Sequence, residues 1–277
     1  MSAQSEASTL DAATAPKSAA AFAAASGEYR PWRNVWAIVK RELGGYFASP
    51  VAYVFLVIFL VLVGFFTFNR NLGGFFERGE ASLFAFFVWH PWLYLFLVPA
   101  AGMRLWAEER RLGTIELLLT MPVTSTQAIL GKFLASWFFL ALALALTFPV
   151  VITVSYLGDP DGGLIVCGYL GSFLMAGSFL AVSSMTSAMT RNQVISFILS
   201  LVICLFLILA GWAPVQNMLV GWAPAWLVDL VASFSVMPHF AAFQRGVIDL
   251  GDLVYFLCVI AFGLFVTGVI IRSHRAG

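Results

Sequence analysis

The chain has 277 residues, of which 61% are hydrophobic and 10% charged, with a mean hydropathy of +0.92. No soluble domain of this size hides so much apolar surface, so the composition excludes a water-soluble enzyme and reads as a polytopic helical membrane protein. The runs are apolar all round rather than alternating, which disfavours a β-barrel, and a net charge of +1 gives no footing for a nucleic-acid partner.

In chain order, residues 1–30 are rich in Ala and Ser and carry Glu6 and Asp11, the composition of a disordered cytoplasmic tail. They lack the basic start and apolar core of a signal peptide. From Pro31 to Phe47 a helix is expected. Trp32, Val35, Trp36, Val39, Leu43, Tyr46 and Phe47 share one face, with Arg33, Asn34, Lys40, Arg41 and Glu42 off it. Pro31 suits a helix start and Gly44-Gly45 weakens its end. Basic residues opposite a Trp-rich face describe a helix lying in the membrane interface.

Six membrane-length runs follow, at about 51–68, 82–105, 133–156, 164–185, 194–212 and 253–271. His90-Pro91 interrupts the second, so the crossing starts either before Pro91 or at it. His90, beside Pro91 and Trp92, reads as an interfacial residue. Gly168, Ser172 and Ala176 recur every four residues in the fourth run, a small-residue stripe for close packing within the protomer or between two copies. The segment 213–251 is long for a loop yet rich in Trp, Leu, Val and Phe, and reads as short helices at the membrane surface. Cys167, Cys204 and Cys258 sit in apolar runs without metal-ligand spacing.

Lys and Arg are asymmetric across this frame, twelve on the side of the termini against three on the other. The positive-inside rule therefore places both termini in the cytoplasm. Between the second and third spans lies a charged island, Arg104 to Glu116, which must stay outside the hydrocarbon. It continues with Gly113 as a breaker, Thr114 as an N-cap, an Ile/Leu turn holding Glu116, Leu117 and Leu118, and Pro122 as a stop.

Three blocks resemble the permease subunits of ABC-2 type transporters, and specifically their gliding-motility-type branch. The first is Met103-Arg104, Ala107-Glu108-Glu109, Gly113-Thr114-Ile115-Glu116-Leu117-Leu118 and Thr120-x-Pro122, followed by Gly131-Lys132. The second is Thr190-Arg191-Asn192-Gln193. The third is His239-Phe240, Phe243, Gly246-Val247-Ile248-Asp249-Leu250 and Asp252-Leu253-Val254-Tyr255-Phe256. They cover the chain from about residue 31 to its end.

The resemblance implies an all-α, six-span permease domain over 31–277 of the ABC-2, or type V exporter-like, kind. It makes 31–47, with Trp32, Trp36, Lys40 and Arg41, the elbow helix. It makes 108–122 the coupling segment that docks on a separate ATPase. There Glu108, Glu109 and Arg110 form a charged rim, Thr114 a cap, and Leu117 and Leu118 apolar contacts, in the pattern completed by Gly113, Glu116 and Pro122. His239, Phe240, Asp249 and Asp252 form an outer-side motif, where His239 either ties outer helices together or meets a substrate or proton. ATP and Mg would bind the ATPase, two copies of which are expected, and no cofactor this chain. Six spans imply a second permease copy or a related permease. An auxiliary membrane subunit with a large periplasmic domain is a further partner by resemblance, in a bacterial inner membrane.

No catalytic motif competes with this reading. Gly131-Lys132 matches the end of a P-loop, but Thr126 and Phe133 stand where Gly and Ser/Thr belong. His90, His239 and His274 lie far apart, and no His-Glu-x-x-His is present. Three functional readings remain. One is an exporter that moves a molecule outward or extracts it from the inner leaflet. The second is an ATP-driven machine that signals to an outer-side partner without transporting anything, and the third a non-ABC membrane scaffold, against which the charged island argues. The topology has a direct check. In a background without native cysteines, cysteine at Asp161 should label with an impermeant thiol reagent added outside, and cysteine at Ser273 should not; the reverse pattern would overturn the orientation.

Overall fold

The computed structural model describes residues 31–69, 75–79, 82–114, 124–221 and 223–273, so the expected tail over 1–30 lies outside the described residues. The first helix, α1 (Pro31–Ala48), runs through Gly44-Gly45 without a break. A side chain at either glycine would meet nothing within 4 Å, so no packing depends on the backbone bending there. Ser49 then caps α2 (Pro50–Phe68), with Pro50 in the first turn where its missing N–H costs nothing.

The apolar face expected of α1 divides in two. Val35 and Val39 are buried against Ala135, Leu130 and Leu134 of α7 (Ser125–Ala145), while Trp32 and Trp36 stay exposed. In α2, Ala52, Leu56, Phe59, Val63 and Thr67 turn inward at helical spacing, Phe55, Leu60 and Phe66 pack half-buried beside them, and Val54, Val57, Val61 and Phe65 face out.

The second crossing is α4 (Phe84–Phe87), a break at Val88-Trp89, and α5 (His90–Gly102), preceded by the short α3 (Phe75–Arg78). It runs on into α6 (Arg104–Leu112), so Phe84–Leu112 is one candidate span and begins before Pro91. His90 corrects the interfacial expectation, being fully buried. Its Nδ1 is 2.9 Å from the Phe86 carbonyl, and its ring lies among Phe86, Phe87 and Tyr94. Nδ1 thus has a local partner, whereas Nε2 is buried among the rings without one.

The third crossing starts at Ser125 rather than Phe133, because Thr124 and Gln127 form a reciprocal capping box. It continues after a break at Leu146-Thr147 as α8 (Phe148–Leu157). The fourth is α9 (Gly162–Met189), capped by Asp161. The fifth, α10 (Gln193–Leu209), is capped by Asn192 and bends 69° into α11 (Ala213–Val220). Then α12 (Ala225–Ser233) bends 63° into α13 (Val236–Gln244), and α14 (Leu250–Ser273) ends the fold. Among the described residues, five runs are long and apolar enough to cross a membrane, or up to seven if each bent pair is one span. The six expected spans fall inside that range. The extra candidate is α12 with α13, within the segment expected at the surface; α13 instead packs on α9, burying Phe240 and Phe243.

The centre of the bundle is α9, which touches α5, α6, α7, α10, α13 and α14. Small residues allow this. A Cβ on Gly168 would lie 2.4 Å from Phe87, on Gly171 2.6 Å from Phe243, and on Gly177 2.7 Å from Trp137. Ser172 and Ala176 are buried in the same surface. The stripe is therefore a seam within the protomer. From α14, Gly263 reaches α9 so closely that a Cβ would lie 2.9 Å from the Ala181 backbone.

That contact predicts a size limit. Gly263→Val should destabilise the purified protein by about 1–3 kcal/mol, because backbone cannot move aside as a side-chain tip can. Gly64→Ala, where a Cβ meets nothing, should stay within about 0.5 kcal/mol of wild type. Thermal unfolding in detergent reads both, and equal effects would refute the seam.

Candidate functional site

The charged island is a rigid extension of the second crossing. Phe84–Gly102 covers about 28 Å at 1.5 Å per residue, close to the hydrocarbon thickness, and α6 adds about 13 Å beyond it. Two hydroxyls of α9 fasten it. Trp106 is buried and its Nε1 donates to Ser184 Oγ at 3.0 Å. Ser187 Oγ accepts from the backbone N–H groups of Trp106 and Ala107, both at 3.0 Å, and donates to the Met103 carbonyl at 2.9 Å. One hydroxyl thus uses its proton and both lone pairs. Gly102 permits the approach, since a Cβ there would lie 2.5 Å from Ser183 Cβ. Arg110 adds a hydrogen bond to the Ala188 carbonyl at the C-terminal end of α9, where a cation complements the helix dipole.

A second fastening is ionic. Lys132, in the second turn of α7, is 6% exposed, and its Nζ lies 2.8 Å from Glu109 and 3.4 Å from Glu42. It also sits 5.6 Å from the centre of the Trp106 ring. One ammonium therefore ties the interfacial helix (Glu42), the charged helix (Glu109) and the third crossing together. Burial works to raise the pKa of the Glu42 carboxyl, but Lys132 and then Arg41, 2.8 Å away, outweigh it and hold it below its ordinary value. Close by, Tyr46 shares a 2.8 Å hydrogen bond with Ser136, and Gly131 lets α1 approach so that a Cβ would lie 2.6 Å from Ile38.

These contacts redistribute the expected site. Glu109 and Arg110 are engaged within the chain, and Glu108 lines a cavity beside α2. The exposed tip is Arg111, Leu112, Gly113 and Thr114. Gly113 is the expected breaker, left-handed at φ +71°, a conformation that favours glycine. Thr114 Oγ1 donates back to the Glu109 carbonyl at 3.4 Å. Glu116, Leu117, Leu118 and Pro122 lie outside the described residues. Sequence reasoning missed Glu42 and Lys132 as a pair, and missed Leu112, which is 62% exposed. The capping-box spacing Thr124–Gln127 was the signal that would have placed Lys132 inside a helix. On α1, Lys40 and Arg41 are exposed.

At the opposite end, His239 Nδ1 is 2.6 Å from Asp252 Oδ1, joining α13 to α14, and its ring stacks on Tyr255 at 4.0 Å. Phe240 is buried beneath it, and Asp249 accepts from the Gly251 N–H at the start of α14. Of the motif residues, His239 and Asp252 thus meet in space and hold adjacent helices, while Asp249 bonds only within the start of α14. Among the described residues, no group of three or more metal-ligating side chains converges.

The ionic hub gives a two-part prediction. Lys132→Met should destabilise the protein by about 2–4 kcal/mol, the lower end being favoured because each carboxylate side chain is about one-fifth exposed. The pH response follows from Glu42. Its folded pKa lies below the ordinary 4.5, so its contribution is present above that pH and is lost as the pH falls through the folded value. Thermal stability of the wild type should therefore drop below about pH 4.5, and that of Lys132→Met should drop less. Parallel curves would contradict the hub.

No curated protein matches the chain. A model of the family described as ABC-2 family transporter protein matches residues 46–211, which include α2, the charged helix, Lys132 with Glu109, and the central helix. That match covers more than half of the sequence, and the chain belongs to the ABC-2 family of transporter membrane proteins.

Proposed function

We propose that this protein is the permease of an ABC exporter of the gliding-motility-type branch, coupling ATP hydrolysis on a separate ATPase subunit to export or extraction of a substrate. The charged end faces the cytoplasm of a bacterial inner membrane. Residues 31–277 form the permease domain. Two ATPase copies, which bind ATP and Mg, dock on 108–122 of this chain and of a second permease. An auxiliary membrane subunit with a periplasmic domain completes the assembly. The observation that carries this reading is the fastening of α6. A segment that receives a push must not slide, and α6 is held to α9 by Ser184, Ser187 and Arg110, and to α1 and α7 through Lys132.

The same geometry favours a second reading, mechanical signalling to an outer-side partner without transport. Beyond its contacts with α6, α9 reaches the opposite end of the bundle. There Gly171 abuts Phe243, and Cys167 lies 3.5 Å from the Gly246 carbonyl. One helix thus joins the two ends directly.

Both readings need docking at the tip. Leu117→Asp should abolish co-purification of the ATPase, since it places an unpaired charge in an apolar contact, and Arg111→Glu, at the exposed tip, should weaken it. Ser187→Ala acts differently, leaving docking intact while lowering the permease-dependent change in ATPase rate, because it loosens the fastening and not the contact surface. Unchanged binding and rate in all three variants would sink the coupling role.

A further inference from the structure

A cavity of about 520 Å³ opens where α1, α2, α5 and α6 meet, within the roughly 300–1,000 Å³ range of small-molecule sites. Its deep wall is apolar, with Phe55, Leu97 and Phe139 among the lining residues. Toward α2 it is lined by Val51, Val54 and Ile58, whose side chains are otherwise exposed, so it opens on the apolar outer face of the first crossing. At the charged end the lining changes sharply to Glu42, Arg104, Glu108, Glu109 and Lys132.

One atom there is unsatisfied. Glu109 Oε1 is paired with Lys132, but Glu109 Oε2 is buried with no hydrogen-bond partner. A buried carboxylate oxygen without a donor is costly, and it belongs to a side chain that lines the cavity, next to Glu108. Gly45 of α1 also lines this space, and a Cβ there would meet nothing within 4 Å.

We propose that the cavity binds a glycerophospholipid with a primary-ammonium headgroup, the ammonium on Glu108 and Glu109, the phosphate on Arg104, and the upper part of a chain along the apolar wall. Charge complementarity selects this occupant. The charged lining is three carboxylates, Glu42, Glu108 and Glu109, against two cations, Arg104 and Lys132, which suits a zwitterion and not an anion. Carboxylates call for an N–H donor, which a primary ammonium has and a quaternary one lacks. The cavity is too small for a whole two-chain lipid, so the rest of the molecule stays in the bilayer along α2. This site does not use the exposed tip at 111–114, since Glu108, Glu109 and Arg104 line the cavity instead.

The test uses the full chain in nanodiscs of equal parts phosphatidylethanolamine, phosphatidylcholine and phosphatidylglycerol, followed by native mass spectrometry of retained lipid. Phosphatidylethanolamine should be enriched over phosphatidylcholine on the order of tenfold, the effect of one charge-assisted hydrogen bond. Glu108→Gln should reduce that enrichment. Gly45→Leu, which adds volume at a cavity-lining position where a Cβ meets nothing within 4 Å and improves helix propensity, should abolish it. Equal retention of the three lipids, a preference for phosphatidylglycerol, no retained lipid, or enrichment that survives Gly45→Leu would each overturn the proposal. Gel filtration checks the variants, and if one fails to fold, the wild-type contrast between the two zwitterionic lipids decides alone.

Discussion

The buried ammonium of Lys132 is the constraint from which the charged end of this protein takes its shape. An isolated charge at 6% exposure would cost several kcal/mol in desolvation, and it persists only if counter-charges are brought to it. Those charges come from two other elements, Glu42 on the interfacial helix and Glu109 on the charged helix. The ionic requirement therefore fixes where α1 lies against α7 and how α6 rotates about its axis. Removing any one of the three leaves the others buried and mismatched, so the junction behaves as a unit. Trp106 is set on both sides of it, with the ammonium above its ring and its indole N–H on Ser184.

The interior of the bundle solves a different problem. In a lipid-soluble protein the hydrophobic effect does not drive helices together, because lipid tails are as apolar as the side chains. Close contact must come from dispersion and from hydroxyl hydrogen bonds. The central helix uses both. Glycines let Phe87, Phe243 and Trp137 press onto its backbone, and serines and threonines are buried along its length. Trp137 illustrates the pairing, stacking flat on Phe173 at 4.3 Å while its indole N–H donates to the Phe173 carbonyl.

Much of this was legible in the sequence because membranes restrict the choices. Apolar length gave the crossings, Gly113 gave the break after the charged helix, and the four-residue stripe of small residues gave the packing face of α9. The misses share a cause. Lys132 reads as a loop cation because its two carboxylates lie far away along the chain, and no periodicity encodes a tertiary ion pair. His90 reads as interfacial because a histidine beside proline and tryptophan is ambiguous until its aromatic neighbours are known. His239 and Asp252 were both singled out, yet only the fold shows that they touch. The Trp-rich face of α1 divided because the helix has a neighbour on one side, which takes the branched residues and leaves Trp32 and Trp36 outside.

The contrast between the central and the first crossing has a consequence for how the sequence can drift. Of the central window 72% is buried within the protomer, against 28% for α2. Positions on the outer face of α2, such as Val54, Val57, Val61 and Phe65, are constrained within the protomer by hydropathy, so any apolar residue serves there. Positions such as Gly168, Gly171, Gly177 and Gly263 are constrained by volume, so even alanine adds an atom where another already sits. The chain therefore carries two grammars side by side. One spells membrane solubility in interchangeable letters, and the other spells architecture in letters that admit no synonym.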